Sequence, residues 1–331
     1  MKKVLFSVFF VLCGAVSLWA GTSDVKGDVN GDGVVDVSDV ASLVDHLLTG
    51  RAISGNGDTN GDGVVDVSDI AALVDNLLRG TGPSDPAQGG TFTVNGVEST
   101  MVPVEGGTFT MGATAEQGDD WWYDEYPAHE VTLSSYSIGE TPVTQELWLA
   151  VMGSNPSHCN GGTFGTNLQR PVEYVTWNDC QTFIAKLNQM TGKHFRLPTE
   201  AEWEFAARGG NKSQRFKYSG SNDIDEVAWY EVNAYDVGSS SPDYGTHPVG
   251  KKKCNELGLY DMSGNVYEWC QDWWGSYSSA AQTNPTGPSS GSYRVFRGGS
   301  WFNDASYCRV SYRDYNSPTY RYYIVGLRLA L

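Results

Sequence analysis

Two twelve-residue loops recur thirty positions apart near the front of this 331-residue chain: DVNGDGVVDVSD at 28–39 and DTNGDGVVDVSD at 58–69. In each copy oxygen donors stand at loop positions 1, 3, 5, 9 and 12, as Asp28, Asn30, Asp32, Asp36 and Asp39, then Asp58, Asn60, Asp62, Asp66 and Asp69. Position 6 is glycine in both, Gly33 and Gly63, which allows the sharp turn around an ion, and the carbonyls of Val34 and Val64 would supply the position 7 ligand. So many hard oxygens at this spacing suit calcium, not zinc or copper. Such a segment must fold around metal.

The usual EF-hand loop ends on a bidentate Glu, whereas both copies here end on Asp, and no helical pattern precedes either loop. A helix is predicted after each. VSDVASLVDHLLTG puts Val40, Leu43, Val44, Leu47 and Leu48 on one face, VSDIAALVDNLLRG does the same with Ile70, Leu73, Val74, Leu77 and Leu78, and each run ends on glycine. Two short-linked loop-helix units of this kind resemble the type I dockerin, a module that plugs enzymes into cohesin domains. The resemblance implies a cohesin partner, with Val37 and Ser38, repeated as Val67 and Ser68, at the contact positions. The duplication would permit two binding orientations related by a half-turn. A calcium-stiffened stalk without a partner is the competing reading.

The net charge of −17 leaves nothing basic enough to neutralise nucleic-acid phosphates. Residues 1–20, MKKVLFSVFFVLCGAVSLWA, carry two lysines, a short apolar run and a small residue at Ala20, and read as a secretory signal peptide. Cys13 invites lipidation instead, but Leu12 before it is too large for that processing. No other stretch approaches the uninterrupted apolar length of a membrane span. The expected product is therefore secreted or held at the cell surface. Cys159, Cys180, Cys254, Cys270 and Cys308 remain after cleavage, an odd number whose spacing fits no zinc pattern.

The repeats occupy 24–80, and the Gly-, Pro- and Ser-rich run GTGPSDPAQGG at 80–90 marks 81–90 as a flexible linker. The second domain, 91–331, is broken by Gly, Pro, Asn and Asp, with helices expected from Thr144 to Val151, from Trp177 to Met190 and from Thr199, whose side chain closes a capping box with Glu202. Cys180, Phe183, Ile184 and Leu187 share a face of the second helix.

Six strings then follow in order: GGTFTMG (106–112), TPVTQELW (141–148), RPVEYVTWNDC (170–180), RLPTEAEWEFAARGG (196–210), GLYDMSGNVYEWCQDWW (258–274) and RGGSW (297–301). Together they resemble the formylglycine-generating enzyme, or sulfatase-modifying factor, family. The resemblance implies a loop-rich variant of the C-type lectin fold, so the whole chain is expected to be α+β: a small all-α calcium module followed by that domain. It also implies a structural calcium at Asn265 and Glu268, partly through the backbone of Ser263, Gly264 and Val266. Beside two tryptophans, Glu268 would otherwise be a costly buried charge. Arg297, Arg309, Arg313, Arg321 and Arg328 are expected in structural pairs with the acid-rich loops.

Family members oxidise a sulfatase cysteine to formylglycine with copper held by two cysteines just beyond RGGS. Here that segment is RGGSWFNDASYCRVSYR. Ser300 and Cys308 match the implied catalytic positions, but the first cysteine falls on Asn303. An amide cannot replace a thiolate towards copper(I), so the two-thiolate site is absent unless another cysteine folds in. No H-x-x-x-H-x-E string offers an iron site either.

Residues 302–325 are dense in Tyr, Asn, Asp and Ser, the composition of adaptable binding surfaces. They also look like the variable region of retroelement-diversified lectin-like proteins. The favoured reading is a non-catalytic accessory or binding component of an extracellular polysaccharide-degrading complex, with a glycan or protein ligand on this surface. A sulfatase-activating oxidase is the alternative.

Overall fold

The computed structural model describes residues 27–31, 35, 37–59, 64–79, 89–119 and 122–331. The expected signal peptide, much of the expected linker, and Asp32, Gly33, Val34, Asp36, Asn60, Asp62 and Gly63 lie outside the described residues. The chain divides into two compact units, Met1–Asp85 and Pro86–Leu331.

In the first unit, helices α1 (Val37–Thr49) and α2 (Val67–Arg79) follow the two loops. Among its described residues Val29, Leu43 and Leu73 are the fully buried apolar side chains, with Val35, Val40, Leu47, Ile53, Val65 and Ile70 packed around them. Leu48 and Val74, expected on the inner faces, are exposed. At these two positions the buried stripe is narrower than the apolar pattern suggests. The first loop is also tied to the segment just before the second. Asn56 N donates to the Asp28 carbonyl at 2.7 Å and Gly55 N to that of Val29 at 3.1 Å. Gly55 is obligatory there, since a Cβ would stand 1.7 Å from the Asp28 oxygen.

The second unit runs β1 (Gly90–Val94), β2 (Val97–Val104), β3 (Gly107–Met111), β4 (His129–Leu133), β5 (Tyr136–Gly139), α3 (Gln145–Met152), α4 (Trp177–Thr191), α5 (Glu200–Ala207), β6 (Tyr267–Trp273), β7 (Gln282–Thr283), β8 (Arg294–Arg297), β9 (Arg313–Asn316) and β10 (Val325–Leu327). These strands form three small sheets, ordered β1-β2-β5, β3-β4-β7 and β10-β6-β8-β9. Long irregular connections join them, so the fold is mixed and loop-rich as expected.

The three anticipated helices begin at threonine caps. The side chains of Thr144, Thr176 and Thr199 each accept a backbone N–H of the first turn, and Glu202 completes the box at Thr199. Helix α4 buries Cys180, Phe183, Ile184 and Leu187, the predicted face.

Helix α5 is buried on every side, although its sequence EAEWEFAA carries three glutamates. Burial of a carboxylate is tolerated only with a partner. Glu200 holds Arg313 at 2.6 and 2.7 Å, Glu202 holds Arg196 at 2.6 and 2.7 Å, and Glu204 holds Arg208 at 2.8 Å and also Arg297. Burial alone would raise the Glu200 carboxyl, but Arg313 and Arg297 more than offset it and hold it below its ordinary range. The motif RLPTEAEWEFAARGG is thus a row of anchors that ties the C-terminal arginines into the core. Arg309 pairs with Glu125, Arg328 with Glu268 and Arg321 with Asp179. The expected arginine pairing holds, but its acids come largely from helix α5 and strand β6.

Candidate functional site

The described calcium-loop residues already lie in closed loops. The Asp39 carboxylate accepts the N–H groups of Val29 and Asn30 at 2.8 and 3.0 Å, and the Asp69 carboxylate accepts those of Thr59 and Asp66 at 2.7 and 2.8 Å. Asp28 accepts from Gly31 at 2.7 Å. Asp28, Asp39 and Asp69 are all buried, and Asp58, Val64 and Asp66 lie in the second loop. Hydrogen bonds from Ser68, by side chain and then backbone, hold the Asp66 carboxyl below its usual range. A donor set of buried carboxylates folded back on their own loop fits a hard cation. At the start of each helix, Val37 and Val67 are 77% and 72% exposed. Ser38 and Ser68 are exposed as well, and their hydroxyls bond back to Asn30 and Asp66.

Ser300, Asn303 and Cys308 are brought close by the turn after β8. Ser300 Oγ donates to Asn303 Oδ1, and Asn303 N donates to the Ser300 carbonyl at 3.1 Å. Cys308 is fully buried and packs with Tyr218, Val227, Ala228 and Tyr230. Burial, with Asp304 second, pushes its thiol up to about 12, so it stays protonated at neutral pH. Gly299 at φ +71° sits directly on it, since a Cβ there would stand 2.6 Å from Sγ. The amide oxygen at position 303 is already hydrogen-bonded, and the one thiol here is neutral and enclosed. These residues do not fit a two-thiolate copper(I) site. Among the described residues none of the five cysteines is disulfide-bonded, and all but Cys254 are buried.

Glu268 already has a counter-charge within the chain. Arg328 engages both its carboxylate oxygens at 2.8 to 3.1 Å, and Trp203 Nε1 donates to one of them at 2.6 Å. The counter-charge expected from calcium comes from a residue sixty positions away. Asn265 is likewise committed: its side chain bonds the backbone N–H and carbonyl of His247 at 3.0 and 3.1 Å. Among the described residues no group of three or more His, Cys, Asp or Glu side chains is arranged to hold a metal ion.

The Tyr-rich segment makes a connected, half-buried aromatic surface. Tyr235 meets Phe302 edge-on at 4.4 Å, Trp301 meets Tyr323 at 5.7 Å, and Tyr322 stacks on Tyr323 at 4.1 Å. Two features of this unit were not anticipated from the sequence. Trp122, Tyr123 and Tyr126 stand out on a turn at 45%, 79% and 62% exposure, with Trp122 6.1 Å from Tyr307. The turn is locked from beneath by Glu125, which takes Arg309 at 2.6 and 2.8 Å.

The second feature is a buried polar cluster. Glu173 is fully buried; one oxygen accepts Cys159 N at 2.7 Å and the other has no partner among the described residues. Burial pushes its carboxyl to about 8, from an ordinary 4.5. The native state therefore holds a proton that the unfolded chain has released between these values, and stability must fall as pH rises from about 4.5 to about 8. Melting temperature against pH should show this slope, and Glu173→Gln should make it shallower, with the similarly raised Asp272 leaving a remainder; an unchanged slope would refute the assignment.

Residues 90–331 match the profile of the sulfatase-modifying factor enzyme 1-like domain, and 26–78 that of the dockerin type I domain. Chaperone protein LppX of Paenibacillus barcinonensis is 38% identical over 230 residues, covering 56% of this chain and 76% of that protein. The formylglycine-generating enzyme of Mus musculus is 36% identical over 195 residues, 55% of this chain and 50% of that enzyme, so the chain spans about half the length of that relative. Among solved structures, Treponema denticola variable protein 1 superposes with a TM-score of 0.63 at 39% identity, covering 73% of this chain and 98% of that one. PvdO from Pseudomonas aeruginosa gives 0.59 at 26% identity, covering 75% and 98%.

Proposed function

From the premise that the chain belongs to the sulfatase-modifying factor enzyme 1-like family and carries a dockerin type I domain ahead of that domain, we propose a non-catalytic role. The protein is a secreted binding or accessory component, held by its calcium-loaded front module to a cohesin-type partner in an extracellular polysaccharide-degrading complex. The twelve loop positions from Asp28 to Asp69 bind two calcium ions, and Val37 and Val67 offer equivalent apolar contacts to the partner. Family membership alone does not carry an activity. The observation that carries the reading is Asn303, hydrogen-bonded by Ser300 beside a lone, enclosed Cys308. The likeness to a variable protein supports a ligand on the aromatic surface around Phe302 and Tyr323. Among the described residues no helix is long and apolar enough to cross a membrane.

Copper(I) titration against a competing chelator tests this. No stoichiometric binding is expected, and Cys308→Ser should change nothing in the titration. Tight one-to-one binding abolished by that substitution, with conversion of a sulfatase-motif peptide, would restore the oxidase reading. Pulldown with cohesins in millimolar calcium and in chelator tests the front module separately.

A further inference from the structure

A groove between β4 and residues 275–288 encloses about 510 Å³. Its outer wall is preformed. Strand β7 pairs in parallel with β4 at Val131 and Thr132, and Asn284 closes on Ser134 through bonds of 2.8 and 3.0 Å. The floor holds His129 and Asp272, each 4% exposed. His129 Nδ1 lies 3.1 Å from the Pro127 carbonyl, which can only accept, so in the neutral ring Nε2 is the acceptor. Asp272 takes the Glu200 N–H at 2.9 Å on one oxygen. Burial, with Glu200 beside it, pushes Asp272 to about 8, leaving a neutral carboxyl with a proton to donate at pH 7. Glu200 itself is spent on Arg313 and on the Tyr277 hydroxyl at 3.1 Å. The rim adds the hydroxyls of Ser276, Ser278 and Thr286, the Gln282 amide and the ring faces of Pro285 and Pro288.

This lining selects by charge. Glu200 and Arg313 neutralise each other in a buried pair, so the wall offers no free charge to hold an anion or a cation, and an apolar ligand would strand the donors and acceptors of the floor. What remains is a neutral ligand whose hydroxyls both give and take hydrogen bonds and whose C–H faces can lie on proline. The volume falls within the usual range of small-ligand pockets and suits about one or two sugar rings. We infer that the groove lined by His129, Asp272 and the 275–288 segment is a binding subsite for a neutral saccharide. It is distinct from the Ser300–Cys308 turn and does not depend on the aromatic surface being a binding face.

Isothermal titration of the full chain in calcium with cellobiose, xylobiose, maltose and mannobiose tests it. At least one should bind one-to-one. The exposed, groove-filling substitutions Ser278→Trp and Thr286→Trp should each weaken binding about tenfold or more, with the melting temperature unchanged. Affinity should also fall as pH rises through about 8. The inference is overturned if none of the four binds at millimolar concentration, or if binding survives both tryptophan variants. Binding that survives them but is lost in Tyr323→Ala would also overturn it, and would place the sugar on the aromatic surface around Phe302 and Tyr323.

Discussion

Arg328→Met should cost the second unit roughly 3–5 kcal/mol, because it leaves the Glu268 carboxylate fully buried without its counter-charge. Neither side chain of the pair has exposed surface. Arg328 also bonds the carbonyls of Gly139 and Tyr260, each at 2.7 Å, so its loss orphans two backbone acceptors as well. The melting temperature should drop by about 10 °C. The double variant Glu268→Met/Arg328→Met should regain a large part of that loss, since removing both charges removes the desolvation penalty. Were the pair merely decorative, single and double variants would melt within a degree or two of the parent. Were calcium the true partner of Glu268, chelator would lower the melting point of the second unit by a comparable amount.

Calcium removal should unfold the front module. Only Val29, Leu43 and Leu73 are fully buried apolar side chains among its described residues, too little to hold so small a unit. Its buried aspartates would repel one another without a cation. Each occupied site contributes about 2.7 kcal/mol at a hundredfold excess of calcium over its Kd. Helical circular dichroism from the module should therefore collapse in chelator and return on recalcification. Asp39→Ala or Asp69→Ala should each remove one site, with loss of the backbone bonds that the carboxylate makes to its own loop. Full helicity in chelator would show instead that packing suffices.

Much of the front module was legible because its chemistry is local. Ligand spacing, the loop glycine and the following apolar run all lie within about two turns of helix or loop, where short-range geometry decides structure. The same holds for the caps at Thr144, Thr176 and Thr199, whose partners stand three residues on. Glu268 was not legible in this way. Beside tryptophans in the chain it looks like an uncompensated charge, and its partner Arg328 is reached only when β10 lies beside β6. Leu48 and Val74 mark a smaller version of the same limit, since an apolar stripe does not say how wide the surface covering it will be.

By itself the sequence determined the paired loop-helix repeats, the family of the second domain and the asparagine at 303 where a thiolate was expected, each a matter of residue identity at fixed spacing. Tertiary structure alone decided which glutamate meets which arginine, that Cys308 is enclosed, and that His129, Asp272 and the 275–288 segment share a groove. Those contacts join residues tens to hundreds of positions apart, and their energies depend on burial and dielectric surroundings that no run of neighbours encodes.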